Sequence, residues 1–224
     1  MKYELAIFDM DGTILDTLTD LTNSTNYALK ANGFNERTRE EVRTFIGDGV
    51  IELIERACPP NTDEESIKRV FYAFCDYYKV HGEDQTEPYD GIVTTLKTLK
   101  GKGVLLGVLS NKLEQAVIPL CEKYFDGIFD FVAGDKDGVR RKPYPDGILA
   151  MIERTTINKN KVVYIGDSEV DVLAGKNAGV DVISAGWGYR GRAALLSVGA
   201  KKIAERASDL VELITEEGKE KESL

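Results

Sequence analysis

Histidine and cysteine are scarce in this chain, with one of the former and three of the latter among 224 residues. The lone histidine, His81, falls near the expected return from a helical stretch and reads as a hinge or surface residue, not a general base. Cys58, Cys75 and Cys121 are far apart and odd in number, which excludes a disulfide framework or zinc spacing and predicts reduced thiols in the cytosol. No apolar run approaches the roughly 20 residues that span a bilayer. The start, MKYELAIFDMD, reaches acidic residues too soon for a signal peptide. An excess of positive charge is missing as well. The formal net charge of -9 argues against a nucleic-acid or anionic-membrane partner held by bulk electrostatics. A local cation cluster or a bound metal can still receive an anionic small molecule. There is no internal repeat, and the polar end TEEGKEKESL reads as a frayed tail.

Against these absences stand 42% hydrophobic and 30% charged residues, enough for a sizeable core in one or two domains. ELAIF, residues 4–8, is a compact strand candidate ended by Asp9 and Asp11. After Asp16 the apolar residues recur at helical spacing, as in Leu18, Leu21, Thr25, Ala28 and Leu29, then Val50, Leu53, Ile54 and Ala57. Ile67, Val70, Phe71, Phe74, Cys75 and Tyr78 continue the pattern, and the aromatics among them are expected in the core of a helical unit. From Tyr89 onward strands alternate with helices. Helices are expected near 91–101, 113–124, 145–155 and 169–178, and strands at VLLGVL (104–109), IFDFVA, VVYIG (162–166) and VDVIS (180–184). Such alternation predicts an α/β fold with a parallel sheet covered on both faces. The first strand joins that sheet, so residues 1–16 and 86–224 form the core and 17–85 a small all-helical insertion.

Ligands of open parallel sheets bind beyond the carboxyl ends of the strands, and every strand end here is polar. Asp9, Asp11, Gly12 and Thr13 follow the first strand, and Ser110, Asn111 and Lys112 follow VLLGVL. RRKPYPD (140–146) and then Asp167, Ser168, Glu169 and Asp171 complete the set. Carboxylates at 9, 11 and 167 with little histidine or thiol suit a hard cation such as Mg2+. A hydroxyl, backbone N–H groups and a lysine suit phosphoryl oxygens. A carboxylate can also take a phosphoryl group covalently, dividing one slow reaction into two easier ones.

The segments FDMDGTILD, LSNK, KPYPD and GDSEVDV together resemble the four motifs of the haloacid dehalogenase superfamily, in its phosphatase branch. The SNK triplet, the KPxPD loop and the later WGYRG are similar to the phosphoglycolate phosphatase-like subgroup. The resemblance implies a Rossmann-like core with a helical cap at 17–85, and a Mg2+-dependent phosphatase acting on a small phosphorylated metabolite. By resemblance Asp9 is the nucleophile and a metal ligand. Asp11 is the general acid and then base, with its backbone carbonyl on the metal. Asp167 and Asp171 serve the metal, Asp171 through a water or by orienting Lys142. Ser110 and Lys142 act on the phosphoryl group, with Gly12, Thr13 and Asn111 lending donors. Lys142 and the metal are expected to hold the Asp9 pKa down, and the Gly47–Gly49 turn resembles a loop that closes over the site, although a simple helix-helix turn accounts for its glycines equally well.

Simpler readings stand beside these. Ser110 or Asn111 could be a helix N-cap, Asp171 first-turn acidity, and Lys142 a solvated lysine beside Arg140 and Arg141. Ser168 and Glu169 read as capping residues. Lys112, Arg190 and Arg192 could meet the far end of a substrate or simply face solvent. Alternatives within the family are a phosphomutase, a pyrophosphatase, or a phosphonate-cleaving enzyme needing a cap lysine, for which only Lys30, Lys68 and Lys79 offer themselves. Outside it stands a non-catalytic phospho-aspartate signalling module. The expected assembly is a monomer or homodimer.

Overall fold

Leu5, Ala6, Ile7 and Phe8 are all fully buried, so β1 (Leu5–Phe8) is covered on both faces. The computed structural model describes residues 1–216; the rest of the expected frayed tail lies outside the described residues. Following β1 come the short β2 (Leu15–Asp16) and four helices, α1 (Leu18–Ala31), α2 (Arg39–Phe45), α3 (Val50–Ala57) and α4 (Glu64–His81). The chain returns through β3 (Glu87–Pro88) and α5 (Ile92–Gly101) to β4 (Leu105–Leu113), α6 (Glu114–Phe125) and β5 (Phe131–Asp135). After α7 (Asp146–Glu153), β6 (Val162–Gly166) leads to α8 (Glu169–Ala178) and β7 (Asp181–Ala185). Last come α9 (Gly191–Ser197), β8 (Ile203–Ala204) and α10 (Asp209–Thr215).

Six strands form one parallel sheet in the order β5-β4-β1-β6-β7-β8. The period-two alternation of β1 sends its side chains to opposite faces. Ala6 and Phe8 join a cluster with Ile92, Leu96 and Leu99 of α5, Leu120 of α6 and Leu210 of α10. Leu5 and Ile7 join Ile148 and Met151 of α7 and Ala174 and Ala178 of α8. The expected two-faced α/β sheet is therefore present. β1 lies between β4 and β6, where the chain order changes direction, and a cleft opens there at the carboxyl ends.

The inserted helices bury their own apolar faces. Leu21, Ala28 and Leu29 of α1 meet Val42 of α2, Leu53, Ile54 and Ala57 of α3, and Val70 and Phe74 of α4. One core residue, Tyr189, belongs to the same cluster. Local chemistry sets the helix starts: the Thr38 hydroxyl accepts from the N–H of Glu41, whose carboxylate accepts from the N–H of Thr38. Asp63 accepts from the N–H of Ser66 at 2.9 Å. The base of the insertion is closed by β2 and β3, paired antiparallel as Leu15 with Pro88 and Asp16 with Glu87. Buried Asp20 secures that junction by accepting the N–H groups of Gln85 and Thr86 at 2.9 and 2.8 Å and the Thr86 hydroxyl at 2.8 Å.

Candidate active site

At the end of β1 the Asp9 carboxylate lies 2.8 Å from the Nζ of Lys142, in the loop before α7. That ammonium also donates to Asp171 at 2.7 Å and to the hydroxyl of Tyr164 at 2.9 Å. Its three N–H groups are thus all directed, and only 2% of its side chain is exposed. Burial opposes the Lys142 charge, but Asp171 and Asp9 outweigh it and hold the pKa well above the ordinary lysine value. For Asp9, burial and then the Asp171 charge push the carboxyl up from 3.8 to about 7, although Lys142 pulls the other way. The lowered Asp9 pKa is expected from the metal and Lys142 together; one lysine shared between two carboxylates does not by itself offset desolvation.

Asp167, at the end of β6, accepts from the Thr13 hydroxyl at 3.2 Å and the N–H of Tyr189 at 2.7 Å. Burial, with Asp171 and Asp9 nearby, pushes its pKa well above the usual range. One oxygen from each of Asp9, Asp167 and Asp171 falls within 4.8 Å of the others. A buried, all-oxygen set with more negative charge than Lys142 can balance fits a hard divalent cation such as Mg2+. Gly12 makes this approach possible. Its φ is +83°, and a Cβ there would stand 2.5 Å from the Asp167 Oδ2.

Asp11 takes another direction. Both of its oxygens accept from Lys112 Nζ at 3.0 Å, and one accepts from the Thr17 hydroxyl at 2.7 Å. The Thr17 N–H in turn donates to the Tyr189 hydroxyl at 2.9 Å. Burial opposes the Lys112 charge, yet Asp11 and Tyr78 more than compensate and raise its pKa. Ser110, Asn111 and Lys112 all belong to β4, which runs on to Leu113, and α6 starts at Glu114 without a side-chain cap. Asn111 donates through Nδ2 to the carbonyl of Lys142 at 2.9 Å and accepts the Lys142 N–H at 2.8 Å, clamping that loop.

Helices α3 and α4 roof the cleft, leaving a cavity of about 710 Å3 lined by Asp9, Asp11, Ser110, Lys112, Tyr78 and Asp167 among others. Core side chains hold the insertion's 43–49 segment by its carbonyls. Arg190 donates to the carbonyls of Arg43 and Ile46 at 2.7 and 2.6 Å, and Asn111 to that of Gly47 at 3.0 Å. Arg141 donates to the carbonyl of Asp48 at 3.1 Å and pairs twice with Glu52 at 2.8 Å. The Gly47–Gly49 turn is thus held against the core through main-chain acceptors.

Residues 6–185 match the haloacid dehalogenase-like hydrolase family. The chain belongs to that family. Among its relatives, a phosphoglycolate phosphatase of Agrobacterium fabrum is 35% identical over 193 residues, 83% of this chain and 81% of the relative. A pyrophosphatase, PpaX of Bacillus mycoides, is 25% identical over 216 residues, 96% of this chain and 98% of the relative. The fold is similar to the crystal structure of a protein assigned as a phosphoglycolate phosphatase from Lactobacillus delbrueckii subsp. bulgaricus. The TM-score is 0.91 and identity 38%, covering 96% of this chain and 99% of that one. None of the described helices is long and apolar enough to cross a membrane.

Within this haloacid dehalogenase-like hydrolase, most of the expected site residues converge, with specific corrections. Asp9, Asp167, Asp171 and Lys142 form one cluster, while the Asp11 side chain stands outside the carboxylate triad on Lys112. Gly12 and Thr13 do not line the cavity. The Thr13 hydroxyl donates to Asp167. Lys142 is buried with its donors engaged by protein oxygens, so it is not a solvated lysine. The N-cap alternative for Ser110 and Asn111 is overturned by the length of β4. Ser168 does cap α8, but with Asp171 as its partner, whereas Glu169 pairs with Arg190 at 3.0 Å. Arg192 pairs with Glu205 at the surface, and half-buried His81 faces Asp84 at 2.9 Å. Lys30 and Lys68 are in exposed ion pairs with Glu36 and Glu64, and Lys79 lines the cavity. Sequence reasoning missed Tyr164, Thr17 and Tyr189. Tyr164 has the period-two placement of a buried strand residue, so only its hydroxyl was a signal.

Proposed function

We propose that this chain is a Mg2+-dependent phosphatase of small phosphomonoesters, phosphoglycolate foremost, working through an aspartyl-phosphate on Asp9, with residues 17–85 as its cap. The observation that carries the reading is the division of labour between two carboxylates in one cleft. Asp9 sits in the triad on Lys142, whereas Asp11 points away to Lys112 and Thr17. An Asp9 oxygen attacks phosphorus, and the bond from phosphorus to the leaving alcohol's oxygen breaks as Asp11 gives that leaving oxygen a proton. Asp11 then takes a proton from water as the water oxygen attacks phosphorus, releasing phosphate and restoring Asp9. Asp9, Asp167 and Asp171 would hold Mg2+, which when bound supplies positive charge to neutralise carboxylates and phosphoryl oxygens. Ser110 lines the cavity beside Asp9 and supports the reading as a hydroxyl donor to phosphate. Lys142 keeps Asp9 and Asp171 in register.

A second reading, hydrolysis of pyrophosphate, is supported by the Bacillus mycoides pyrophosphatase matching nearly the whole chain. The deciding assay measures phosphate release with Mg2+ from phosphoglycolate, sugar phosphates, nucleotides and pyrophosphate, for the native protein and for Asp9→Asn. Activity on a phosphomonoester that vanishes in Asp9→Asn and in EDTA is expected. Full activity in the variant would sink the aspartyl-phosphate, and preference for pyrophosphate would favour the second reading.

A further inference from the structure

Tyr78 stands in the last turns of α4 with its ring stacked on Phe74, centroids 5.4 Å apart and planes within 8°. It also lies against Gly82, where a Cβ would stand 2.7 Å from the ring. Packing of this kind needs only a phenyl ring. The hydroxyl is nevertheless there, buried, with no hydrogen-bond partner among the described residues. A buried hydroxyl left unpaired is unfavourable, and phenylalanine would avoid that penalty. Burial pushes the Tyr78 pKa up, so the group remains a neutral donor.

The neighbour of Tyr78 across the cavity is Lys112, its ammonium 4.8 Å from the ring centroid. Two N–H groups of Lys112 serve the oxygens of Asp11 at 3.0 Å. The Tyr78 oxygen is near enough to help raise the Lys112 pKa, yet the contact falls short of a hydrogen bond, and no other described oxygen accepts from this ammonium, so its third N–H is open to a ligand placed between the two. The two residues come from opposite sides of the cleft, Lys112 from β4 and Tyr78 from the insertion, and both line the cavity. Asp11, as proton donor, must reach the leaving oxygen. Whatever lies a bond or two beyond that oxygen therefore falls beside Lys112.

We infer that the Tyr78 hydroxyl and the remaining Lys112 N–H bind an anionic oxygen group on the leaving side of the substrate. This rests on the phosphatase reading above and deepens it: the preferred substrates carry a second anion, a carboxylate or another phosphoryl group, next to the bond that breaks. Tyr78 is then a specificity residue of the cap, and its partner in recognition is also the residue that holds the general acid. Binding of the right leaving group and placement of Asp11 are coupled through one ammonium.

The test compares the native protein with Tyr78→Phe, which keeps the ring, the Phe74 stack and the contact with Gly82. With Mg2+ present, kcat and KM are measured for 2-phosphoglycolate, pyrophosphate and methyl phosphate, the last lacking a second anion. The native protein should prefer one of the anionic substrates. In Tyr78→Phe, kcat/KM for that substrate should fall about tenfold, chiefly through KM, and selectivity over methyl phosphate should fall with it. Which of the two anions loses more identifies the carboxylate or the phosphoryl source. Unchanged selectivity in a variant of an active phosphatase overturns this inference alone, as does a native preference for methyl phosphate. A native protein inactive on all three overturns the phosphatase reading and this inference with it.

Discussion

Replacing Asp9 should make the metal-free protein more stable. The folded protein holds the Asp9 carboxyl at about 7 against an ordinary 3.8, with burial and Asp171 outweighing Lys142. An acid whose pKa is raised by folding favours the folded state fully below its unfolded pKa, and that advantage is lost as pH rises through the folded value. The ionised group therefore weakens folding increasingly from pH 3.8 to about 7, and by a constant amount above that. At about 1.4 kcal/mol per pKa unit, the shift amounts to about 4 kcal/mol at pH 8 and about 2 kcal/mol at pH 5. The attraction to Lys142 is already contained in that net shift. Asp9→Asn removes the charge and keeps the shape, so it should recover much of this amount at pH 8, less at pH 5 and almost nothing below pH 4. Urea unfolding in EDTA at these pH values measures it. Saturating Mg2+ should narrow the gap by stabilising the native carboxylates. A variant no more stable than the native protein at pH 8 in EDTA, or a gain that ignores pH, would refute the reasoning.

Two further substitutions probe the frame around the cluster. Arg190→Ala removes the donors that hold the carbonyls of Arg43 and Ile46. It should loosen the 43–49 segment by about 2 kcal/mol, seen as faster amide exchange there and a higher KM, with exchange in β1 unchanged. Gly12→Ala puts a Cβ 2.5 Å from Asp167 Oδ2 at a φ of +83°. It should destabilise the fold by about 2 kcal/mol and weaken Mg2+ binding at least tenfold by calorimetry; unchanged metal affinity would show that the Asp9–Asp167 approach does not depend on this glycine.

The parts of the site fixed by chain direction were legible in the residues alone. Apolar runs ending in carboxylates place Asp9 and Asp167 at adjacent strand ends, since a parallel sheet brings every carboxyl end to one side. The exact match of β6 and α8 to their expected limits has the same cause, a run of buried residues closed by Ser168 and Asp171. What was not legible depends on pairing across the sheet. β4 continues through Ser110–Lys112, with Leu113 opposite Asp135, so three residues expected in the loop after the strand are strand residues instead. Lys112 is turned onto Asp11, more than a hundred positions away, and no local pattern distinguishes that from solvent exposure. The hydrogen bond of Thr13 to Asp167 and the hold of Arg190 on main-chain carbonyls are invisible for the same reason. Carbonyl acceptors carry no residue signature.

The pairing of Leu15 with Pro88 and Asp16 with Glu87 has a consequence for ancestry. Adjacent strands stand about 4.8 Å apart, so the insertion leaves and re-enters the core at nearly one point. A short turn could bridge that point, and so could a helical segment of a different length, without moving any strand in the main sheet. Descent can therefore exchange or remodel the segment as a cassette. The constraints on a replacement are few: an apolar seat for Tyr189, and carbonyls offered to Asn111, Arg141 and Arg190. New ligands can be sampled there while Asp9, Asp167 and Asp171 stay where the sheet puts them.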